Sequence, residues 1–235
     1  MSACSQCSIR NRAICAALSD EERALLSGMG HQQTVRAGEA LLWEGDESLR
    51  VANVIEGVLT LSTGTQDGRE QIVGVVYPAD FIGRPFGTRT AQTVTALTDA
   101  RVCTFARSDF DRFAREHPAL EHRLLQTTLT ELDRAREWML LLGRKSAEGR
   151  VASFLLDMAD RLACERTPAA ASKMEPAGDA FTLPFGRQQI ADILGLTIET
   201  VSRQLTRLRS DGVIDLPARR DIVIRDRAAL EALAA

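Results

Sequence analysis

The sequence predicts an α+β protein: a β-roll of the jelly-roll type, then one long helix, then a C-terminal winged helix-turn-helix. Three observations carry that reading. From about Ser19 to Arg107 the chain is a series of short β-like runs broken by glycine, with no helical crossover between them. After Pro118 the texture changes to ALEHRLLQTTLTELDRAREWMLLL, with no Gly or Pro before Gly143. Near the C-terminus RQQIADIL and IETVSRQLTRLRS flank a Gly195-Leu196 turn, and two short strands around Pro217 follow. These changes place an N-terminal arm at 1–18, the roll at 19–117, the long helix at 118–142 and the C-terminal domain at 143–235.

The expected strands of the roll lie in TVRAGEALLWEGD, ANVIEGVLTLST, EQIVGVVYPADFIG, QTVTALTD and ARVCTFA. In IEGVLTL, Ile55, Leu59 and Leu61 share one face with Gly57, the period of two of a half-buried strand. GRKSAEG (143–149) is expected to be a joint, RVASFLLDMADRLA an amphipathic helix and ERTPAAASKMEPAGDA a surface connection. Cys164, at the end of that amphipathic helix, reads as a small core residue.

A chain of 235 residues, 45% hydrophobic and 26% charged, is long and apolar enough for two modest domains with cores of their own. No apolar run reaches the ~18–20 residues of a membrane span, and the N-terminus lacks the apolar core of a secretory signal. A cytoplasmic protein without a membrane partner is expected. The net charge of −3 argues against nucleic acid when taken whole. Residues 186–225, however, hold seven Arg against five Asp or Glu, so the positive charge is local. His31, His117 and His122 form no ligand or catalytic set, and the chain is not expected to be an enzyme.

On the long helix, Leu125, Thr128, Leu132, Ala135, Met139 and Leu142 alternate by three and four, an a/d seam for a second copy of the chain. Glu131 then takes a g position and Arg136 the following e position, placed to pair across a parallel two-stranded coil. Thr128 and Ala135 make the seam weak, which suits a homodimer that comes apart as well as forms. The competing reading is a helix that covers its own barrel.

In the C-terminal pair of helices, Thr197 caps the second, whose Ile198, Val201, Leu205 and Leu208 form the buried face. Glu199, Ser202, Arg203 and Thr206 are left outside. Arg203 can donate twice to guanine O6 and N7, Glu199 can accept from cytosine N4, and Ser202 can meet a thymine edge, so double-stranded DNA is the expected partner. Arg219 and Arg220 in the wing, with Thr197, are assigned to the DNA backbone. A helical hairpin with a solvated polar face is the alternative.

Three of the five cysteines, Cys4, Cys7 and Cys15, fall within the first fifteen residues in a C-x2-C-x7-C pattern. In a reducing compartment such a cluster reads as metal ligands or redox thiols.

GEALLWEGD, IEGVLTL, DGREQIVG, the long helix and IETVSRQL together resemble the CRP/FNR family of bacterial transcription regulators, over essentially the whole chain. The resemblance implies a cyclic-nucleotide-binding-like jelly roll, dimerisation through the long helix and a palindromic operator with TTGAT half-sites. Glu199, Ser202 and Arg203 match the FNR-type E-x-x-S-R signature. FNR-type oxygen sensors hold a [4Fe-4S] cluster with three N-terminal cysteines and one from the barrel, and Cys4, Cys7, Cys15 and Cys103 look like that set. DGREQIVG resembles a barrel surface that touches RNA polymerase. Many such sensors carry an acidic residue on the seam where this chain has Ala135.

Four other readings stand beside this one. A Zn(Cys)4 site and unligated, directly oxidised thiols use the same cysteines. Cyclic-nucleotide sensing would use Arg89, Thr90 and Ala91, but Gly83-Arg84-Pro85 stands where a ribose-binding Glu is expected. An iron-sulfur electron carrier with a C-terminal docking domain is the reading from a different functional class.

Overall fold

The computed structural model describes residues 4, 6–64, 70–163 and 179–235, which fall into two compact units, Met1–Ala135 and Arg136–Ala235. In the first unit the strands β1 (Gly30–Val35), β2 (Ala40–Leu42), β3 (Arg50–Glu56), β4 (Leu59–Gly64), β5 (Glu70–Val76), β6 (Phe81–Ile82), β7 (Thr93–Ala96) and β8 (Ala100–Ala106) form the roll. They make two antiparallel four-stranded sheets, ordered β1-β8-β3-β6 and β2-β7-β4-β5. Alternation puts Ala52, Val54, Ala100 and Val102 of the first sheet inside the roll, with Leu59, Val76 and Val94 of the second.

IEGVLTL is not one strand. Gly57, at φ +85°, ends β3, and the chain crosses to the other sheet before β4. A Cβ at Gly57 would run into the Asp99 carbonyl and come 2.7 Å from Ala100 Cα, so both its conformation and its space require glycine.

The outer face of the first sheet is covered by elements the sequence reading did not separate from the strands. Helix α1 (Asp20–Met29) starts at a capping box: Ser19 Oγ accepts from Glu22 N–H (3.2 Å), and Glu22 accepts from Ser19 N–H (2.7 Å). Helix α2 (Arg107–Glu116) buries Phe110, Phe113 and Ala114. With Phe105 and Val51 of the sheet and Leu120 and Leu124 of the long helix they build one core, which also takes up Ile14 and Leu18 of the N-terminal arm.

The long helix α3 (Pro118–Arg144) begins with proline at a position that needs no N–H. In the second unit α4 (Ala147–Ala163) follows after two residues, and its first turn is capped by Ser146 Oγ, which accepts from Gly149 N–H (3.1 Å). Strand β9 (Asp179–Thr182) begins inside the stretch expected to be a surface connection, the earlier part of which lies outside the described residues. Helices α5 (Arg187–Leu194) and α6 (Ile198–Ser210) follow, then β10 (Ile214–Asp215), β11 (Asp221–Ile224) and α7 (Arg227–Ala234). The small sheet runs β10-β11-β9, so the wing has a third strand that period-two reading around Pro217 did not find. Helix α7 packs on α4 through Leu230 and Ala234, and Arg227 joins Asp160 (2.6 Å), Asp179 (2.5 Å) and Glu231 (3.0 Å). No described helix is long and apolar enough to cross a membrane.

Candidate metal centre and nucleic-acid interface

The arm winds through successive tight turns. Cys7 N–H donates to Cys4 O (3.4 Å), Arg10 N–H to Cys7 O (3.2 Å) and Ala13 N–H to Ile9 O (2.9 Å), leading into a 3-10 turn at Ile14–Ala17. Ile9, Ala13, Ile14 and Leu18 are all buried. Apolar side chains seat the arm: Ile9 and Ala13 pack with Ile55, and Ile14 and Leu18 join the core that runs from Leu26 and Val51 to Leu120 and Leu124. Arg23 reinforces the seat: Nε donates to Cys15 O (3.2 Å), Nη2 to Leu18 O (2.6 Å), and Nη1 pairs with Asp20 (2.7 Å).

That winding brings the arm thiols to the outward-facing Cys103 of β8. Cys7, Cys15 and Cys103 pack against the same small apolar cluster, formed by Ile9, Ala13 and Ile55 with Ala79 beside them. Cys4, Cys7, Cys15 and Cys103 are unbridged and half-buried. Cys164 lies outside the described residues. Ala79 holds a φ of +80°, which for an alanine is stored strain. Its N–H donates to Val54 O (2.9 Å), and Asp80, next in the chain, lies 3.9 Å from Arg134 of α3. Arg123 of α3 donates to Arg12 O (3.2 Å), a second link from arm to long helix.

Burial, and after it the charge of the neighbouring thiolates, pushes Cys15 up to about 11 and Cys103 up to about 12. Cys103 feels Cys4, Cys7 and Cys15, and Cys15 feels Cys7 and Cys4. Two cations face the group: Arg23 on Cys15, and Arg101, paired with Glu56, on Cys7. Among the described residues no three His, Cys, Asp or Glu converge where a single ion could sit. In the metal-free, reduced protein, between about pH 9 and 11 the unfolded chain releases the Cys15 and Cys103 protons while the folded chain still holds them, so stability falls as pH rises. Urea unfolding at about pH 8 and 10 should show that fall, and the Cys15→Ser, Cys103→Ser pair should flatten it.

Of the residues expected in the α3 seam, Leu125, Thr128, Leu132, Ala135 and Met139 are exposed and Leu142 is half-buried. Leu129 and Leu140, which strict a/d spacing left out, are exposed too. They widen the stripe. The first turns of the helix carry Leu120 and Leu124 into the first unit's core, so α3 does both things weighed for it: it covers the roll and leaves an apolar stripe outside. Glu131 spends its carboxylate within the helix, on Arg134.

In the helix-turn-helix, Gly195 takes φ +61° and ends α5 in a left-handed cap. Thr197 Oγ1 accepts from Thr200 N–H (3.3 Å) and starts α6. Val201, Leu205 and Leu208 are buried as expected, but Ile198 is exposed at 37%, because the first turn of α6 projects beyond its packing partners. Glu199, Arg203 and Thr206 are exposed and Ser202 is half-exposed. Glu199 accepts from its own backbone N–H and from the Thr197 hydroxyl, which holds its carboxyl below the usual range. Arg203 and Arg219 make no hydrogen bond or ion pair among the described residues, whereas Arg207 faces Glu148 (3.5 Å) and Asp211 (3.7 Å). Arg219 and Arg220 stand exposed between β10 and β11, the tip of the wing.

Arg150 of α4, which sequence reasoning missed, binds two helix ends at once. Its Nη2 donates to Leu142 O (2.7 Å) and its Nε to Lys145 O (3.1 Å) at the end of α3, while Nη1 donates to Leu194 O (3.2 Å) at the end of α5. One guanidinium therefore satisfies carbonyls that both helices leave without partners.

Residues 149–233 match the model of the Crp-like helix-turn-helix domain, and residues 32–117 that of the cyclic nucleotide-binding domain. The transcriptional activator protein FnrL of Cereibacter sphaeroides is 44% identical over 97% of this chain and 90% of its own. The chain belongs to the CRP/FNR family of transcription regulators. The nitrogen fixation regulation protein FixK of Bradyrhizobium diazoefficiens is 40% identical over 99% of this chain and 94% of its own. Among solved structures, FixK2 from Bradyrhizobium japonicum superposes with a TM-score of 0.77 at 33% identity, covering 88% of this chain and 98% of that one. CRP/FNR proteins are DNA-binding regulators, not enzymes, and the fold agrees: β-roll, long helix, winged helix-turn-helix. In this member's roll Arg89 donates to Gly45 O (2.9 Å), Thr90 is buried, and Phe86, at φ +58°, donates its N–H to Asp111 (3.0 Å).

Proposed function

We propose that this CRP/FNR protein is an oxygen-responsive activator in which a [4Fe-4S] cluster on Cys4, Cys7, Cys15 and Cys103 governs dimerisation along α3 and thereby binding to a TTGAT-type palindrome. The observation that carries the reading is the gathering of Cys7 and Cys15 of the arm and Cys103 of β8 against one apolar cluster, with the half-buried Cys4 close enough to raise both Cys15 and Cys103. The donor set fits. Four thiolates are the usual ligands of such a cluster, one to each iron, so the sulfurs need not converge on a single point. Arg23 and Arg101 offset the negative charge that thiolate ligation brings. When bound, the cluster would supply an oxygen-labile centre; the chain's own residues supply the rest.

Arg123 on the Arg12 carbonyl and Arg134 near Asp80 connect the thiol site to α3, whose outer stripe suits a second copy. Arg203, Glu199 and Ser202 are then the base-reading set, with Thr197, Arg219 and Arg220 on the backbone. DGREQIVG, the proposed RNA polymerase contact, falls partly outside the described residues, with Glu70–Gly74 on β5. A cyclic-nucleotide reading is disfavoured because Arg89 is tied to a main-chain carbonyl and no carboxylate stands at 83–85.

Protein purified without air should be brown, with about four iron and four sulfide per chain. Replacing Cys4, Cys7, Cys15 or Cys103 by Ser should abolish the colour, and Cys164→Ser should not. A colourless protein with one bound zinc and no sulfide would overturn the proposal, and a brown protein with no preference for a palindrome would favour an electron carrier.

A further inference from the structure

Asn53 is out of place. It lies in the middle of β3 between Val51 and Ile55, on the outward face of the first sheet, and is 2% exposed. An apolar residue would suit that strand better, and Val54 and Ala52 fill the inward face with aliphatic groups. Its Oδ1 accepts no hydrogen bond among the described residues. A buried amide oxygen left in that condition has given up its water without a replacement, which costs stability. Fold stability alone gives no reason for it.

The register supplies one. Asn53 is paired directly with Cys103 across the β3–β8 ladder, and cross-strand partners project from the same face. Ile55, next on that face, packs against Cys7, Cys15 and Cys103. The amide therefore lies beside the Cys103 side chain, one position along the same face from the residue that packs on the arm cysteines. Asn53 and Cys103 do not hydrogen-bond as they stand; directly opposed Cβ atoms are about 4.5–5.5 Å apart, which leaves the sulfur within one side-chain rotation of the amide. A carboxamide is donor and acceptor at once, and turning it end for end presents two N–H groups where the oxygen was. A neutral thiol makes little demand on such a donor. A ligating thiolate does, because it carries charge in a half-buried site that water reaches only in part.

We infer that Asn53 is a positioning residue for the metal centre, whose side-chain amide donates an N–H to the Cys103 sulfur once that sulfur ligates iron. The inference rests on the cluster reading above and deepens it. A hydrogen bond to a ligating sulfur favours the electron-richer state, so it raises the reduction potential and makes oxidative loss harder.

The test is Asn53→Leu, of the same branched shape and without a donor, beside Asn53→Ser, which is smaller and keeps one. In the metal-free form Asn53→Leu should melt at or above the temperature of the unaltered chain, since an unpaired buried amide has gone. Anaerobically reconstituted Asn53→Leu should hold the same iron and sulfide, show a more negative midpoint potential and lose its visible absorbance in air several-fold faster, with Asn53→Ser between. Equal potentials and equal bleaching rates in all three would overturn the inference while leaving the cluster in place. A colourless unaltered protein would remove the acceptor and overturn both readings together.

Discussion

Leu132→Glu is expected to leave the protein monomeric where the unaltered chain dimerises, and to weaken binding to a palindrome by ~100-fold or more. Leu132 stands exposed in the middle of the α3 stripe, so a carboxylate there meets water in the single chain and costs the fold little. In the proposed dimer the same carboxylate would face its own copy across a two-fold interface, unpaired and out of water. A monomer reads one half-site and forfeits the contacts of the other. Ala135→Leu should act oppositely: it fills the weakest seam position and should retain dimer and DNA binding in air, where the unaltered protein is expected to lose both. Sedimentation velocity beside fluorescence anisotropy on a labelled palindrome reads both variants. A Leu132→Glu chain that still sediments as a dimer would move the interface off α3.

Arg203→Ala should cost about 1–3 kcal/mol on the preferred operator and relax the requirement for guanine at one position in each half-site. Its guanidinium is exposed and has no partner within the described chain, so nothing need be broken for it to reach a base edge. Arg219→Ala and Arg220→Ala should instead weaken all sequences alike and flatten the salt dependence, as loss of phosphate contacts does. Binding curves on a set of single-base operator variants, at two salt concentrations, separate the two behaviours. An Arg203→Ala protein with unchanged base preference would mean that α6 enters the groove on another face.

The roll was readable because glycine and period-two runs mark strands, and α5–turn–α6 because the cap at Thr197 and the left-handed turn at Gly195 have local signatures. Helix α1 had such a signature too, Ser19 with Glu22, but strand-rich neighbours obscured it. What stayed illegible was non-local. Ile9, Ile14 and Leu18 look like a tail until Phe105, Leu120 and Leu124 are folded against them. Exposure of Ile198 depends on where its neighbours stop, and a helical period carries no such information. The place of Asn53 beside Cys103 depends on a strand register fifty residues wide.

The three hydrogen bonds of Arg150 bear on the operator itself. In a dimer joined along α3, the end of that helix fixes where each reading motif begins, and the guanidinium ties that end to α5. Adding one base pair between half-sites moves one of them about 3.4 Å along the duplex and roughly 35° around it. A loose connection would follow that movement, and the spacer would be free to drift. A short one held by three hydrogen bonds would resist it, so in the proposed dimer the number of base pairs between half-sites would become a dimension of the protein, to be tested by binding to palindromes with one base pair added or removed at the centre.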